Sequence, residues 1–111
     1  MYRIASGSLA LITLAASAVV VAEERGKTLY AQYCLACHGA DGAGMMPGVP
    51  DLTDKAGVLA KPDALLLRSM LNGVQRSGAA VAMPPKGGNP ALTEEDMKAV
   101  LTYIRQEFDP E

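Results

Sequence analysis

Hydrophobic positions along the chain fall into groups of different character. Leu9 to Val21 is an apolar stretch interrupted only by Thr13 and Ser17. From Glu23 the spacing turns helical: Leu29, Tyr30, Tyr33 and Cys34 recur three and four apart behind an acidic first turn, which predicts a helix from Glu23 to about Leu35. A second helix is predicted from Pro62, a residue suited to a first turn, with Asp63 beside it, through Leu66, Leu67, Met70 and Leu71 to a stop at Asn72-Gly73. A third opens at Thr93, whose hydroxyl caps it with Asp96 in the reciprocal position. It carries Met97, Val100, Leu101, Ile104 and Phe108 on one stripe. Nothing alternates with period two over a useful length, so the expected fold class is all-α, with no sheet.

Between these helices lie two segments too rich in breakers for regular structure. One is Gly39-Ala40-Asp41-Gly42-Ala43-Gly44 with Pro47-Gly48-Val49-Pro50; the other is Ser77 to Asn89, centred on Met83-Pro84-Pro85. Loops of this length inside a small domain ordinarily wrap a ligand. The apolar residues after position 22 are also expected to supply only a few kcal/mol of net stability. The missing component should therefore be large, apolar and bound covalently or by coordination.

Met1-Tyr2-Arg3 is a short positive start to the apolar stretch, and Val20-Val21-Ala22 offers small residues at the positions a signal peptidase reads. Residues 1–22 are expected to be a signal peptide, cut to leave Glu23 first or, alternatively, after Ala18. The competing reading is an uncleaved membrane anchor, since Ile4 to Ala22 carries no charge; Ser6, Gly7, Ser8, Thr13 and Ser17 weigh against it. Residues 23–111 are then one domain facing the outside of the inner membrane, in the periplasm, either free or anchored. In that oxidising compartment two cysteines three apart would risk a disulfide unless other chemistry consumed them.

Charge and composition narrow the chemistry. The chain has 10 basic and 12 acidic residues, and one of the basic ones is Arg3 in the leader, so binding to nucleic acid by phosphate neutralisation is not expected. A single His and two Cys exclude sites needing two imidazoles.

Cys34-Leu35-Ala36-Cys37-His38 is Cys-x-x-Cys-His, the attachment signature of c-type haem. On one helical turn, two thiols three residues apart reach the two vinyl groups on one edge of a porphyrin, and the following His swings beneath the ring to the iron. A thioredoxin-type pair would need a preceding strand and a parallel sheet, a zinc site a fourth ligand, and a structural disulfide would leave His38 without a role. One haem c on Cys34 and Cys37 is expected, with His38 on the iron. On the opposite face the candidates are Met, Lys or no protein ligand. Met70 and Met97 sit on apolar helix stripes and read as core, and Met45 and Met46 follow His38 too closely. Met83 lies in a loop stiffened by two prolines, which presents a weak thioether at little entropic cost. It is the expected sixth ligand, with a vacant or Lys-ligated iron as the alternative.

With these residues in view the sequence resembles the class I c-type cytochromes over essentially all of residues 23–111. The segment Gly26 to Tyr33 resembles the family's first helix and Val100 to Ile104 its last, so the resemblance implies a close crossing built from Gly26, Tyr30 and Tyr103. Pro50-Asp51-Leu52 resembles the family's Pro-x-Leu, which implies that the Pro50 carbonyl accepts the outer N–H of His38 and that Leu52 lies against the haem. Met83 to Pro90 is similar to the ligand loop of small bacterial members, notably the cytochrome c-five branch, although the additional Cys pair common there is absent.

The resemblance implies a cytochrome c fold of three main helices and long loops around one haem. It implies a one-electron carrier without catalytic residues, taking electrons from a quinol-oxidising complex or a dehydrogenase and passing them to a terminal oxidase or reductase. The alternatives are an electron-transfer subunit of a larger complex and a haem sensor or enzyme with an open sixth position. Lys27, Lys55, Lys61 and Lys86 are candidates to ring the exposed haem edge, against the ordinary reading of lysines as solvated surface.

Overall fold

In a computed structural model, residues 13–109 are described, with side chains from residue 20 onward. Four helices follow one another: α1 (Thr13–Tyr33), α2 (Leu35–His38), α3 (Asp63–Asn72) and α4 (Glu94–Phe108), with single 3-10 turns at Val58–Ala60 and Pro85–Gly88. The described residues form no strand. Their one β-type pairing is an isolated antiparallel bridge between Val74 and Met83.

Helix α1 starts ten residues before the expected Glu23, because nothing between Thr13 and Arg25 is a helix breaker. The apolar leader expected over residues 1–22 falls partly outside the described residues. Among those described, no helix is long and apolar enough to cross a membrane. At its other end α1 does not stop cleanly. The Cys34 amide still donates to the Tyr30 carbonyl at 2.9 Å and that of His38 to the Cys34 carbonyl at 3.0 Å, so α2 continues the helical path past a kink at Cys34, where φ is −121°.

The core is the α1–α4 crossing. Helix α1 contributes Leu29 and Tyr30, and α4 contributes Met97, Val100, Leu101, Ile104 and Phe108, all buried. The ring of Tyr30 lies 5.3 Å from that of Tyr103 and 5.5 Å from that of Phe108, close enough for favourable tilted aromatic packing. Gly26 lets the backbones approach: a Cβ there would overlap the Ala99 carbonyl and come within 3.1 Å of the Tyr103 Cβ. The expected crossing of Gly26, Tyr30 and Tyr103 is therefore present.

Helix α3 buries Leu66 and Met70 against the same cluster, with Leu67 and Leu71 half-buried, while the loops send in Leu52, Leu59 and Leu92. It ends at Gly73, where φ is +78°, as Asn72-Gly73 predicts. Helix α4 opens on the full reciprocal cap: the Asp96 amide donates to Thr93 Oγ1 at 3.1 Å and the Thr93 amide to Asp96 Oδ2 at 2.9 Å. Arg25 adds an ion pair to Asp96 at 2.6 Å, tying α1 to the start of α4.

Candidate cofactor site

The two breaker-rich segments close around a cleft rather than filling it. It spans about 1140 Å³ when the open mouth and the solvent space in front of it are included. Cys34, Cys37, His38, Pro50, Leu52 and Met83 all line it. Every residue singled out from the sequence for the cofactor thus reaches one wall or another of the same space.

Each wall has a local cause. The turn of α2 carries Cys34, Cys37 and His38 in, and the following loop is hung from that turn: the Gly44 amide donates to the His38 carbonyl at 2.8 Å and the Met45 amide to that of Cys37 at 2.8 Å. The Leu52 amide then donates to the Gly42 carbonyl at 2.7 Å, which turns Pro50 and Leu52 back towards His38. On the far side, Val74 and Met83 exchange both backbone hydrogen bonds, at 2.9 and 2.8 Å, and so fix the backbone at Met83 directly after α3. Beyond it Lys86 and Gly87 take positive φ values of 53° and 63°, and Gly87 lies so close to the Tyr33 Cβ that a side chain there would clash. Asn89 donates to the Tyr33 hydroxyl at 3.1 Å. The loop that carries Met83 is thereby seated on the last turn of α1, one residue before Cys34.

The cysteines are free thiols. Burial, with Cys37 adding to it, pushes the Cys34 thiol up to about 11, so at neutral pH only about one molecule in 10⁴ carries the thiolate. A redox-active Cys-x-x-Cys needs the opposite shift, since the thiolate is the nucleophile. Burial and the nearby charge of Arg76 hold His38 below its usual range, so the imidazole is neutral at pH 7 and in the form that coordinates a metal. The Pro50 carbonyl lies near enough to oppose that shift, but the contact falls short of a hydrogen bond, and His38 Nδ1 is buried without a partner.

The other methionines are sorted by burial. Met70 and Met97 also line the cleft, but from within the core, at 7 % and 3 % exposure. Met45 is 66 % exposed and does not line it. Of the lysines considered for a charged rim, Lys61 lines the cleft whereas Lys27, Lys55 and Lys86 do not.

Two residues that sequence reasoning missed hold this architecture. Arg105 donates to the Leu59 carbonyl at 2.8 Å, to the Lys61 carbonyl at 2.7 Å and to Asp63 at 2.5 Å, pinning the 3-10 turn that delivers Val58 and Leu59 to the cleft. Arg76, just ahead of the breaker-rich loop that begins at Ser77, lines the cleft itself. Neither belongs to a motif; their partners lie more than forty residues away or on another wall.

The residues fit a covalently held haem. Two thiols three residues apart, a neutral buried imidazole, and a wall of Leu52, Val58, Leu59, Leu66 and Ile104 match a large apolar ring carrying an imidazole-binding iron.

Comparison with known proteins agrees. Residues 21–104 match the family described as cytochrome c oxidase, cbb3-type, subunit III. Relatives include cytochrome c-555 of Chlorobaculum thiosulfatiphilum, 34 % identical over 82 residues, covering 71 % of this chain and 88 % of the relative. Cytochrome c-554(548) of Halomonas halodenitrificans is 30 % identical over 70 residues, covering 63 % of this chain and 78 % of the relative. The cbb3-type cytochrome c oxidase subunit CcoP of Cereibacter sphaeroides is 35 % identical over 80 residues, covering 71 % of this chain but 25 % of the subunit. The chain thus spans most of the small cytochromes and about a quarter of the oxidase subunits it matches. No solved structure matches.

Proposed function

The chain belongs to the c-type cytochromes, in the family of the cbb3-type oxidase subunit III, and from that premise we propose that it is an exported carrier of single electrons with one haem c attached through Cys34 and Cys37 and ligated by His38 and Met83. Family membership implies covalent haem and electron transfer in general; the ligand set, the number of haems and the shuttle role are the proposal. Haem iron, when bound, supplies a one-electron couple whose potential a thioether ligand raises.

The protein's own residues do the rest. Cys34 and Cys37 would fix one edge of the group, His38 would present a neutral imidazole, and Pro50 would orient it from the loop behind. Met83 and His38 would both hold the iron, which would leave no place for a substrate and favours a carrier over an enzyme or gas sensor. Leu52, Leu59, Leu66 and Ile104 line the cleft and would exclude water from the ring, limiting reorganisation when charge changes. Under this reading residues 1–22 are a cleaved export signal or, if retained, an anchor, and the domain works in the periplasm between a quinol-oxidising complex or dehydrogenase and a terminal oxidase or reductase.

The observation that carries the reading is the Val74–Met83 bridge, which holds the ligand loop on the cleft shared with Cys34, Cys37 and His38. The test is the visible and near-infrared spectrum of the purified protein in both redox states. Wild type should show covalent haem and the weak sulfur-to-iron band of the ferric form. Met83→Ala should lose that band, bind carbon monoxide readily and fall in potential, whereas Met70→Ala and Met97→Ala keep the band. A silent Met83→Ala alongside loss in Met70→Ala or Met97→Ala overturns the ligand assignment. A second reading, an electron-transfer module of a larger oxidase, is favoured by the matches to cbb3-type subunits; stoichiometric copurification with an oxidase would select it.

A further inference from the structure

Two cations line the cleft, Lys61 and Arg76, and no Asp or Glu lines it. Among the described residues neither side chain forms an ion pair. A cleft with apolar walls and uncompensated positive charge is suited to a ligand that is apolar in the main and anionic at one edge. Haem has that character, because it carries two propionate carboxylates.

The position of Arg76 adds a second element. It stands two residues beyond Val74, inside the loop that the Val74–Met83 bridge closes at its base. The loop turns directly after it, where the Ala79 amide donates to the Arg76 carbonyl at 3.2 Å, and its far side is joined to the other wall by the Ala80 amide donating to the Pro47 carbonyl at 3.2 Å. The backbone that carries this cation is therefore tied by the bridge to the backbone that carries Met83. Although Arg76 is exposed, it lines the cleft alongside His38 and Met83.

We propose that Arg76 is the carboxylate-binding residue of the cleft, pairing with a haem propionate and so coupling the seating of the ring to the presentation of Met83. This rests on the haem reading above. The guanidinium fork can hold a carboxylate through two parallel hydrogen bonds, which the ammonium of Lys61 cannot. A carboxylate drawn into an apolar cleft is costly unless paired in this way.

Removing the cation would relieve its repulsion of the ferric charge and leave the carboxylate's negative charge uncompensated, and both effects favour the ferric state. The experiment is a redox titration of purified holoprotein, read with the sulfur-to-iron band, for wild type, Arg76→Gln, Arg76→Lys and Arg68→Gln. Arg68 is exposed on α3 and does not line the cleft, so its variant makes the same change in net charge elsewhere. Arg76→Gln is expected to lower the ferrous-to-ferric ratio at fixed ambient potential about tenfold, which is 59 mV for one electron, and to lose the band at a lower temperature than wild type. Arg76→Lys falls between, and Arg68→Gln changes the ratio less than twofold. A shift in Arg76→Gln no larger than in Arg68→Gln overturns the proposal. Wild type lacking covalent haem would instead strike the proposed function, so the two failures are distinguishable.

Discussion

Substituting Gly26 separates two effects of opposite sign. In an isolated helix Gly→Ala stabilises by about 1 kcal/mol. Here the new Cβ would overlap the Ala99 carbonyl and lie 2.8 Å from its carbon and 3.1 Å from the Tyr103 Cβ. The obstacle is main chain of α4, which cannot rotate aside. Relief requires the helices to part by about 1 Å to restore an ordinary carbon–oxygen contact of roughly 3.3 Å. A gap of that size forfeits roughly a quarter to a half of the dispersion energy of each contact across it, and the contacts concerned include Tyr30 and Val100, the two most completely buried side chains. Overpacking costs about 1 to 3 kcal/mol, and the backbone obstruction puts Gly26→Ala near the upper end. The net loss is then roughly 2 kcal/mol, a fall in Tm of about 10 °C for a domain of this size. Gly26→Val, which adds two more methyl groups and gives up part of the helix-propensity gain, should lose more than 3 kcal/mol. Denaturant unfolding of the holoprotein with constant m-value measures both. If Gly26→Ala raised stability by about 1 kcal/mol, helix propensity alone would be at work and the crossing would not be close.

Tyr30→Phe removes the hydroxyl that donates to the buried Gly39 carbonyl at 2.6 Å and should cost about 1 to 3 kcal/mol with the ring packing retained; denaturant midpoints check it. Burial, aided by Cys34, Tyr103 and Asp41, holds the Tyr30 phenol above its ordinary 10.0. The unfolded chain therefore releases this proton first, so wild type should lose stability as pH rises beyond about 10, and Tyr30→Phe should lack that part of the loss. Arg105→Ala leaves the Leu59 and Lys61 carbonyls without their charged donor and should cost roughly 2 to 3 kcal/mol. Asp63→Asn should cost under about 1 kcal/mol, because Asp63 is 69 % exposed; equal losses in the two variants would refute this division of roles.

The chain's own order of residues determined what depends on near neighbours. Helical periodicity placed α3 and α4 close to their observed limits, Thr93 and Asp96 gave the cap, Asn72-Gly73 the stop, and Cys34-Leu35-Ala36-Cys37-His38 the cofactor chemistry. Each rests on interactions within a few residues, which spacing along a sequence encodes directly. The two long loops were legible only as needing something to wrap, because breakers say where regular structure ends and not where the chain goes next. Tertiary structure decided that path: the Val74–Met83 bridge, Gly87 seated on Tyr33, and Ala80 joined to Pro47 depend on pairings whose geometry no local pattern specifies. The same holds for Arg105 and Arg76. An arginine in sequence is one more solvated charge until the fold sets carbonyls or a cleft in front of it, and burial and proximity, rather than residue type, then give it a task.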